Sequence, residues 1–247
     1  MRVLTEATGS LVSGYLIKSI QSAGHISVAA DIEAECAGRY LADRFVQMPH
    51  SSDPDLWQKV GTLLANEEID AVIPSLDEML LGWSQKLYSS TCQKNVRVVT
   101  SAPDVLEIFL DKWKAYKFFQ YHSIPTPPTS LNQDYPLIKP RFGRGARGVR
   151  VTNDKTPMQG LISQELVTGQ EYTVDVLCDS LGKPIYIVPR TRLFVRNGKS
   201  TRGVVVAHSE IENVVRKLCN ATSFRGPINV QCFVTTDMFL FCKPIFF

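Results

Sequence analysis

Over the first hundred residues short apolar runs alternate with helix-length amphipathic stretches, the pattern of parallel βαβ units. Strands are expected at 1–4, 26–31, within 42–48, at 71–74 and at 96–100, and helices at 9–23, 53–66 and 77–87. Right-handed crossovers turn such a series into a small doubly wound sheet with helices on both faces. After Pro103 the rhythm changes. Residues 104–121 read as one or two helices, and the Pro-, Thr- and Ser-rich stretch 123–134 reads as a surface connection. From Tyr135 the text is mainly β: PLIKP, GVRVT, LISQELV, EYTVDVLCD and PIYIVPRTRLFV, with Gly182-Lys183 as a hairpin turn between the last two. A helix over 209–223 follows, and INVQCFV and MFLFCKPIFF close the chain as two antiparallel strands. The fold class is therefore α/β, a doubly wound lobe followed by an α+β lobe, with no internal repeat.

Composition narrows the class. The 247 residues, 44% hydrophobic and 21% charged, describe an ordinary globular protein and exclude collagen-like, disordered and coiled-coil readings. No apolar run reaches the roughly eighteen residues that a membrane helix needs. The N-terminal MRVLTEATGS meets Glu6 where a secretory signal would need an unbroken apolar core, so a cytoplasmic protein without a membrane partner is expected. Six cysteines lie far apart with no CxxC pair, which reads as small buried hydrophobes rather than a zinc site or disulfide framework. The four histidines cluster with nothing and read as structural or solvated. A net charge of +3 argues for a nucleic-acid partner only if it is clustered. Arg141, Arg144, Arg147 and Arg150 recur at a spacing of three, but in extended, glycine-rich text that spacing scatters them over both faces, so no nucleic-acid partner is expected.

The strongest local signal is the run from Ile138 to Val149. An apolar strand ends in Lys139 and enters a loop with Gly143, Gly145 and Gly148, after which the strand text resumes. Glycine permits positive φ and lets amide groups turn toward a ligand, while Lys139 adds a point charge: a phosphate clamp, or a flexible hairpin with a solvated lysine. It is not a P-loop, because no helix and no Gly-Lys-Ser/Thr follow. Asp111-Lys112 stands near a helix start upstream. Gln164-Glu165-Leu166-Val167, with Glu171 six residues after Glu165, offers backbone groups to an adenine edge and a carboxylate to ribose hydroxyls.

Other features have plain structural readings beside functional ones. Gly9 and Gly14 followed by Asp31 fit a tight strand-to-helix turn better than a dinucleotide fingerprint. Ser75 with Glu78 three residues later has the form of a capping box, yet Asp77 and Glu78 also stand at a strand C-terminus, where open sheets bind ligands. Arg190 and Arg192, alternate residues on one strand, share a face and either grip a carboxylate or acyl phosphate or form a solvated sheet edge; Arg202 follows a Gly-Lys-Ser-Thr turn and joins them in the first reading.

Taken in order, ADRFVQMP, IDAVIPSLDEML, LDKWKAYKFFQYHSIPTPPT, PLIKPRFGRGARGVRV, ISQELVTGQEYTVDVL, IVPRTR and GPINVQCFV resemble the ATP-grasp superfamily, and within it proteins similar to the large chain of carbamoyl-phosphate synthase. The resemblance implies a pre-ATP-grasp Rossmann-like domain over 1–101 and an ATP-grasp domain over 102–247, with a glycine-loop subdomain at about 124–168 and a C-terminal β subdomain at about 169–247. It implies ATP as the cofactor. Lys112 would contact the phosphates, Lys139 would bridge phosphate and base, and Gly143, Gly145 and Gly148 would form the closing loop with Arg144 and Ala146 at its tip. Glu165 would be the adenine-side acid, Leu166 and Val167 the hinge, Glu171 the ribose carboxylate, and Gln231 a residue near the metal ions. The implied reaction is an ADP-forming ligation through an acyl phosphate, with a small carboxylate and an amine as substrates, Arg190 and Arg192 as catalytic residues, and Asp77, Glu78 and Arg202 toward the substrate. It leaves a homodimer open.

One segment departs from the family. Its metal-holding strand ends in Glu-x-Asn-Pro-Arg; aligned on Pro244, this chain has Phe241, Lys243 and Ile245 there. Mg2+ needs hard oxygen ligands, which neither phenylalanine nor a lysine cation supplies, and leaves Asp237 as the stand-in carboxylate. The chain stops three residues after Pro244, which reads as a clipped and altered catalytic end. The alternative to a ligase is thus a nucleotide-binding member without catalysis, in a regulatory or scaffold role.

Overall fold

Five short parallel strands open the fold: β1 (Arg2–Thr5), β2 (Ile26–Asp31), β3 (Arg44–Gln47), β4 (Ala71–Ile73) and β5 (Arg97–Val98), in the order β3-β2-β1-β4-β5. The structure, a computed structural model, describes residues 1–88, 96–143, 145–196, 199–235 and 239–246, with backbone alone at 87–88, 195–196, 199–201 and 239–246. The chain divides into two compact units, Met1–Thr100 and Ser101–Phe246.

In the first unit, helices α1 (Ser13–Ser22), α2 (Ala37–Leu41), α3 (Leu56–Asn66) and α4 (Asp77–Tyr88) connect the strands. Near-continuous apolar runs make β1, β2 and β4 buried on both faces. Leu4, Val28 and Val72 meet Leu56, Val60 and Leu64 of α3 and Met79 and Trp83 of α4. Val3 and Ala71 meet Ile20 of α1 on the opposite face. Each fully buried aliphatic side chain contributes about 2 kcal/mol. Trp57 packs edge-on to Trp83 with ring centroids 5.2 Å apart, which Gly82 permits by leaving the space a Cβ would take.

Helix α1 begins at Ser13 and not at residue 9, because Asp31 accepts from the Gly9 amide at 2.7 Å and holds residues 9–12 in a turn. Helix α3 begins at Leu56 and not at residue 53: Asp53 Oδ1 accepts from the Asp55 amide at 2.9 Å and forms the turn before it. The five-residue α2 is too short to show in the periodicity.

The second unit opens with α5 (Pro103–Phe109) and α6 (Lys112–Tyr121). An antiparallel sheet follows, β6 (Thr129–Ser130), β7 (Leu137–Pro140), β8 (Arg150–Val151) and β9 (Leu161–Gln164), ordered β6-β9-β7-β8. The 123–134 stretch is therefore no mere surface connection, since Ile124 and Thr129 are buried and β6 pairs with β9. A second antiparallel sheet, ordered β12-β11-β10-β13-β14, holds β10 (Gln170–Cys178), β11 (Pro184–Arg196), β12 (Lys199–Val205), β13 (Gly226–Val234) and β14 (Phe239–Phe246). The text read as a turn at 198–201 thus lies largely in β12, hydrogen-bonded to β11.

Period two decides the faces of that sheet. Val174, Val176 and Cys178 of β10, with Ile228, Val230 and Cys232 of β13, form the buried face. Helix α7 (Ser209–Ala221) buries Ile211, Val215, Leu218 and Cys219, and the Cys178 and Cys219 sulfurs lie 4.0 Å apart. The alternate residues form a polar face: Glu171, Thr173, Asp175, Arg190, Arg192, Asn229 and Gln231. Among the described residues no helix is long and apolar enough to cross a membrane.

Candidate functional site

The start of α6 and the exit of β7 are joined side chain to backbone. Asp111 caps α6, accepting from the amides of Trp113 at 2.9 Å and Lys114 at 3.4 Å. The same carboxylate, 1% exposed, takes Nε of Arg141 at 3.1 Å on one oxygen and the Arg141 Nη2 on the other. Burial pushes the Asp111 carboxyl up, but the Arg141 guanidinium and the helix amides outweigh it and hold it below the usual range. Lys112 Nζ donates to the carbonyls of Pro140 at 2.8 Å, Arg141 at 3.3 Å and Gly143 at 3.1 Å, while its amide donates to Arg141 O at 3.0 Å. Lys112 therefore fastens the glycine loop at its root.

The loop needs its glycines. Gly143, Gly145 and Gly148 have φ of 103°, 65° and 71°, and Ala146 shares the left-handed region at 56°. A Cβ on Gly143 or Gly145 would meet nothing within 4 Å, so both stand in open space where a ligand can approach the backbone. Arg144 lies outside the described residues.

Lys139 Nζ donates to Gln164 Oε1 at 2.6 Å across to β9; Gln164 Nε2 donates to Thr129 Oγ1 at 2.7 Å, which donates to Pro127 O at 2.9 Å. Gln164 opens the 164–167 run, but the sequence assigns its side chain no role; here that side chain links Lys139 to Thr129. Past β9 the chain turns irregular: the Glu165 amide donates to Pro128 O at 2.9 Å, and Glu165 and Leu166 are exposed, with Val167 half-buried, before β10 begins.

On the polar face of the five-stranded sheet each arginine holds a carboxylate. Arg192, its side chain 8% exposed, pairs with Glu171. Arg190 grips Asp175 with Nε at 2.6 Å and Nη2 at 3.0 Å, and Asn229 Nδ2 donates to the same Asp175 at 2.7 Å. Asp175 and Asn229 were also missed, although the alternation in EYTVDVLCD puts Asp175 on the Glu171 face. Arg202 stands apart from the pair, opposite Phe194 in the register with its guanidinium over that ring at 5.4 Å. Gln231 lies opposite Thr173 on one side and Lys243 on the other.

In the first unit, Asp77 and Glu78 form the first turn of α4. Ser75 lies two residues before that turn and its hydroxyl donates to the Glu6 carbonyl. Beside it Glu6, 3% exposed, accepts from Trp83 Nε1 at 3.1 Å, and among the described residues its other oxygen lacks a partner at hydrogen-bond distance. Burial pushes this carboxyl up to about 7 against the opposing pull of the Trp83 hydrogen bond. Gly9 and Asp31 form the strand-to-helix turn of the structural reading. Cys178, Cys219 and Cys232 are buried, whereas Cys36 is only half-buried.

Among the described residues the donor set does not suit Mg2+. Among the described residues no three His, Cys, Asp or Glu side chains assemble. Strand β14, FLFCKPIF, contains no side-chain oxygen at all, and the two carboxylates on the polar face give their oxygens to arginines. Asp237 lies outside the described residues.

The profile of the family described as ATP-grasp domain matches residues 109–238. No curated protein matches the chain. Solved structures do. N5-carboxyaminoimidazole synthetase from Staphylococcus aureus complexed with ADP superposes with a TM-score of 0.76 at 15% identity, over 99% of this chain and 69% of that one. N5-carboxyaminoimidazole ribonucleotide synthetase from Thermotoga maritima gives 0.70 at 16%, over 98% and 68%, and the biotin carboxylase complex with β,γ-ATP from Campylobacter jejuni 0.73 at 14%, over 99% and 65%. The fold is theirs.

Proposed function

Because the chain belongs to the ATP-grasp family, we propose that it binds ATP in the unit 101–246 and uses it to join a small carboxylate to an amine with release of ADP. The carrying observation is the convergence of Lys112 and the three left-handed glycines on the exit of β7, the strand that bears Lys139. A polyphosphate takes the place of the carbonyl and amide oxygens that Lys112 and Lys139 now hold, and the loop amides add donors that cost no reorganisation. The exposed main chain at 165–167 meets the base, and Glu171 the ribose. Arg190 and Arg192 are bidentate donors aimed at one face, suited to a carboxylate and the acyl phosphate it becomes. In that step a carboxylate oxygen bonds to the γ-phosphorus as ADP leaves; the amine then adds to the acyl carbon, loses a proton, and inorganic phosphate departs. Phosphoryl transfer of this kind asks the protein for positioning and charge neutralisation rather than covalent help.

A second reading, nucleotide binding without turnover, is favoured by one observation: β14 brings Lys243, and no oxygen donor, to the row of Gln231. Incubating the chain with ATP and pools of small acids and amines, while following ADP and phosphate, separates the two. Release with one pool supports the ligase; nucleotide bound with no release from any pool supports the second reading. Failure to bind ATP overturns both.

A further inference from the structure

We propose that Cys178 and Cys219 form a reversible oxidation site, at which a hydroperoxide converts the paired thiols into a disulfide that staples α7 to the end of β10. The site lies on the buried face of the five-stranded sheet, opposite the polar face, and stands whether or not the chain binds ATP.

The two cysteines are 41 positions apart in the chain, yet their sulfurs lie 4.0 Å apart. A disulfide needs about 2.05 Å, so roughly 2 Å remains, a gap that side-chain rotation and a small shift of a helix end close. Both residues stand where their elements end. Cys178 is the last residue of β10, at the point where the register with β11 shifts, and Cys219 lies in the last turn of α7. That turn is weakly closed: the Thr222 amide reaches the Cys219 carbonyl only at 3.4 Å, and Thr222 is already extended at φ −147°. Asn220 and Ser223 beside it, and Leu181 in the turn after β10, are exposed. The thiols are therefore covered by a helix terminus and a hairpin turn, and such ends open at far lower cost than the whole fold, which admits a small uncharged oxidant.

The pair is also chemically unequal. A hydrogen bond from the Cys219 thiol holds the Cys178 thiol below its ordinary value against the opposing effect of burial, while Cys219 is pushed up by the same pairing and by burial. Cys178 is therefore the nucleophile. Its sulfur bonds to one oxygen of the hydroperoxide, the O–O bond breaks, and the leaving oxygen takes up the thiol proton to depart as an alcohol, or as water from hydrogen peroxide. Cys219 then attacks the resulting sulfenic acid: the S–S bond forms, the S–O bond breaks, and hydroxide leaves with the Cys219 proton as water. The two thiols give up two electrons and the hydroperoxide accepts them; a dithiol reductant reverses the step by exchange.

The test treats the full native chain with hydrogen peroxide at neutral pH, blocks the remaining thiols with iodoacetamide, and maps tryptic peptides by mass spectrometry. The expected product links the peptide 156–190, which carries Cys178, to the peptide 218–225, which carries Cys219. Its mass is two hydrogens below the sum, and dithiothreitol separates the two. Because the link closes a long loop in the unfolded chain, oxidation should raise the melting temperature by at least about 5 °C, and Cys219→Ser should abolish that gain. Three results overturn the proposal: both thiols recovered unlinked after peroxide, Cys178 joined to a different cysteine, or linkage that forms only once urea has unfolded the chain. The peptide map of the native chain decides the matter even if a variant fails to fold.

Discussion

Asp111 and Arg141, thirty residues apart, form a two-pronged ion pair that ties the cap of α6 to the first residue after β7. The carboxylate has three further claims on it: burial, which opposes its charge, and the amides of Trp113 and Lys114, which support it. Asp111→Ala removes a helix cap worth about 1 kcal/mol and strands a part-buried guanidinium, so a loss of about 3 kcal/mol is expected in urea unfolding. The pair's own pH dependence follows from a folded-state acidity below the ordinary one. Its stabilisation is complete above about pH 4 and disappears as pH falls through the lower folded value. Native and Asp111→Ala chains should therefore converge in stability toward acid; a constant gap down to pH 2 would refute the charged pair.

Lys112 holds three carbonyls at the loop root, and removing its ammonium should loosen the loop before it disturbs the core. Lys112→Met keeps the stem length and helix propensity. Trypsin should then cut after Arg147 several-fold faster than in the native chain, with the melting temperature nearly unchanged. ATP affinity should fall by at least about tenfold, the scale of one lost charge-assisted contact. Unaltered cleavage would mean that the loop is held by its own turns.

Much of this fold was legible because its strands announce themselves locally. ISVAAD at 26–31 is a short run of small, mostly apolar residues, and EYTVDVLCD at 171–179 alternates, so both could be read as strands. The two-residue β6 and the edge strand β12 could not. KSTRGVV has turn-forming chemistry in its first half, and only pairing with a thirteen-residue β11 makes it a strand. At the candidate site, residue types showed which side chains carry charge but not whom they meet. Arg190 and Arg192 were placed on one face by alternation, yet their partners Asp175 and Glu171 depend on hairpin register. Glu6 was read only as an interruption of an apolar start. Its burial is set by Trp83, seventy-seven positions away, and no local pattern encodes that.

Gly82 in α4 offers a test of packing in the first unit. Alanine there should favour the helix by about 1 kcal/mol. Its Cβ, however, would stand 2.0 Å from Trp57 Cζ2, on a ring already packed edge-on against Trp83. Overpacking of a stiff aromatic costs about 1–3 kcal/mol, so the clash outweighs the propensity gain. Gly82→Ala should unfold at lower denaturant and quench or shift tryptophan fluorescence. A stabilised variant would show that Trp57 swings away freely.

Glu6 should make the first unit less stable as pH rises, the reverse of the Asp111 effect. Its carboxyl, ordinarily near 4.5, is raised to about 7 by burial, so the folded chain holds a proton there that the unfolded chain has released. Below pH 4.5 both states are protonated and the favourable neutral form is fully present. Between 4.5 and 7 the unfolded state ionises first and stability declines; above 7 the folded state carries a buried charge and the loss is complete, on the order of 3 kcal/mol. Glu6→Gln keeps an acceptor for Trp83 Nε1 and cannot ionise. It should match the native chain at pH 4.5, exceed its melting temperature at pH 8, and show no decline between. Thermal unfolding of both chains across that range measures the difference, and parallel curves would mean that the Glu6 carboxyl finds compensation for its charge inside the fold.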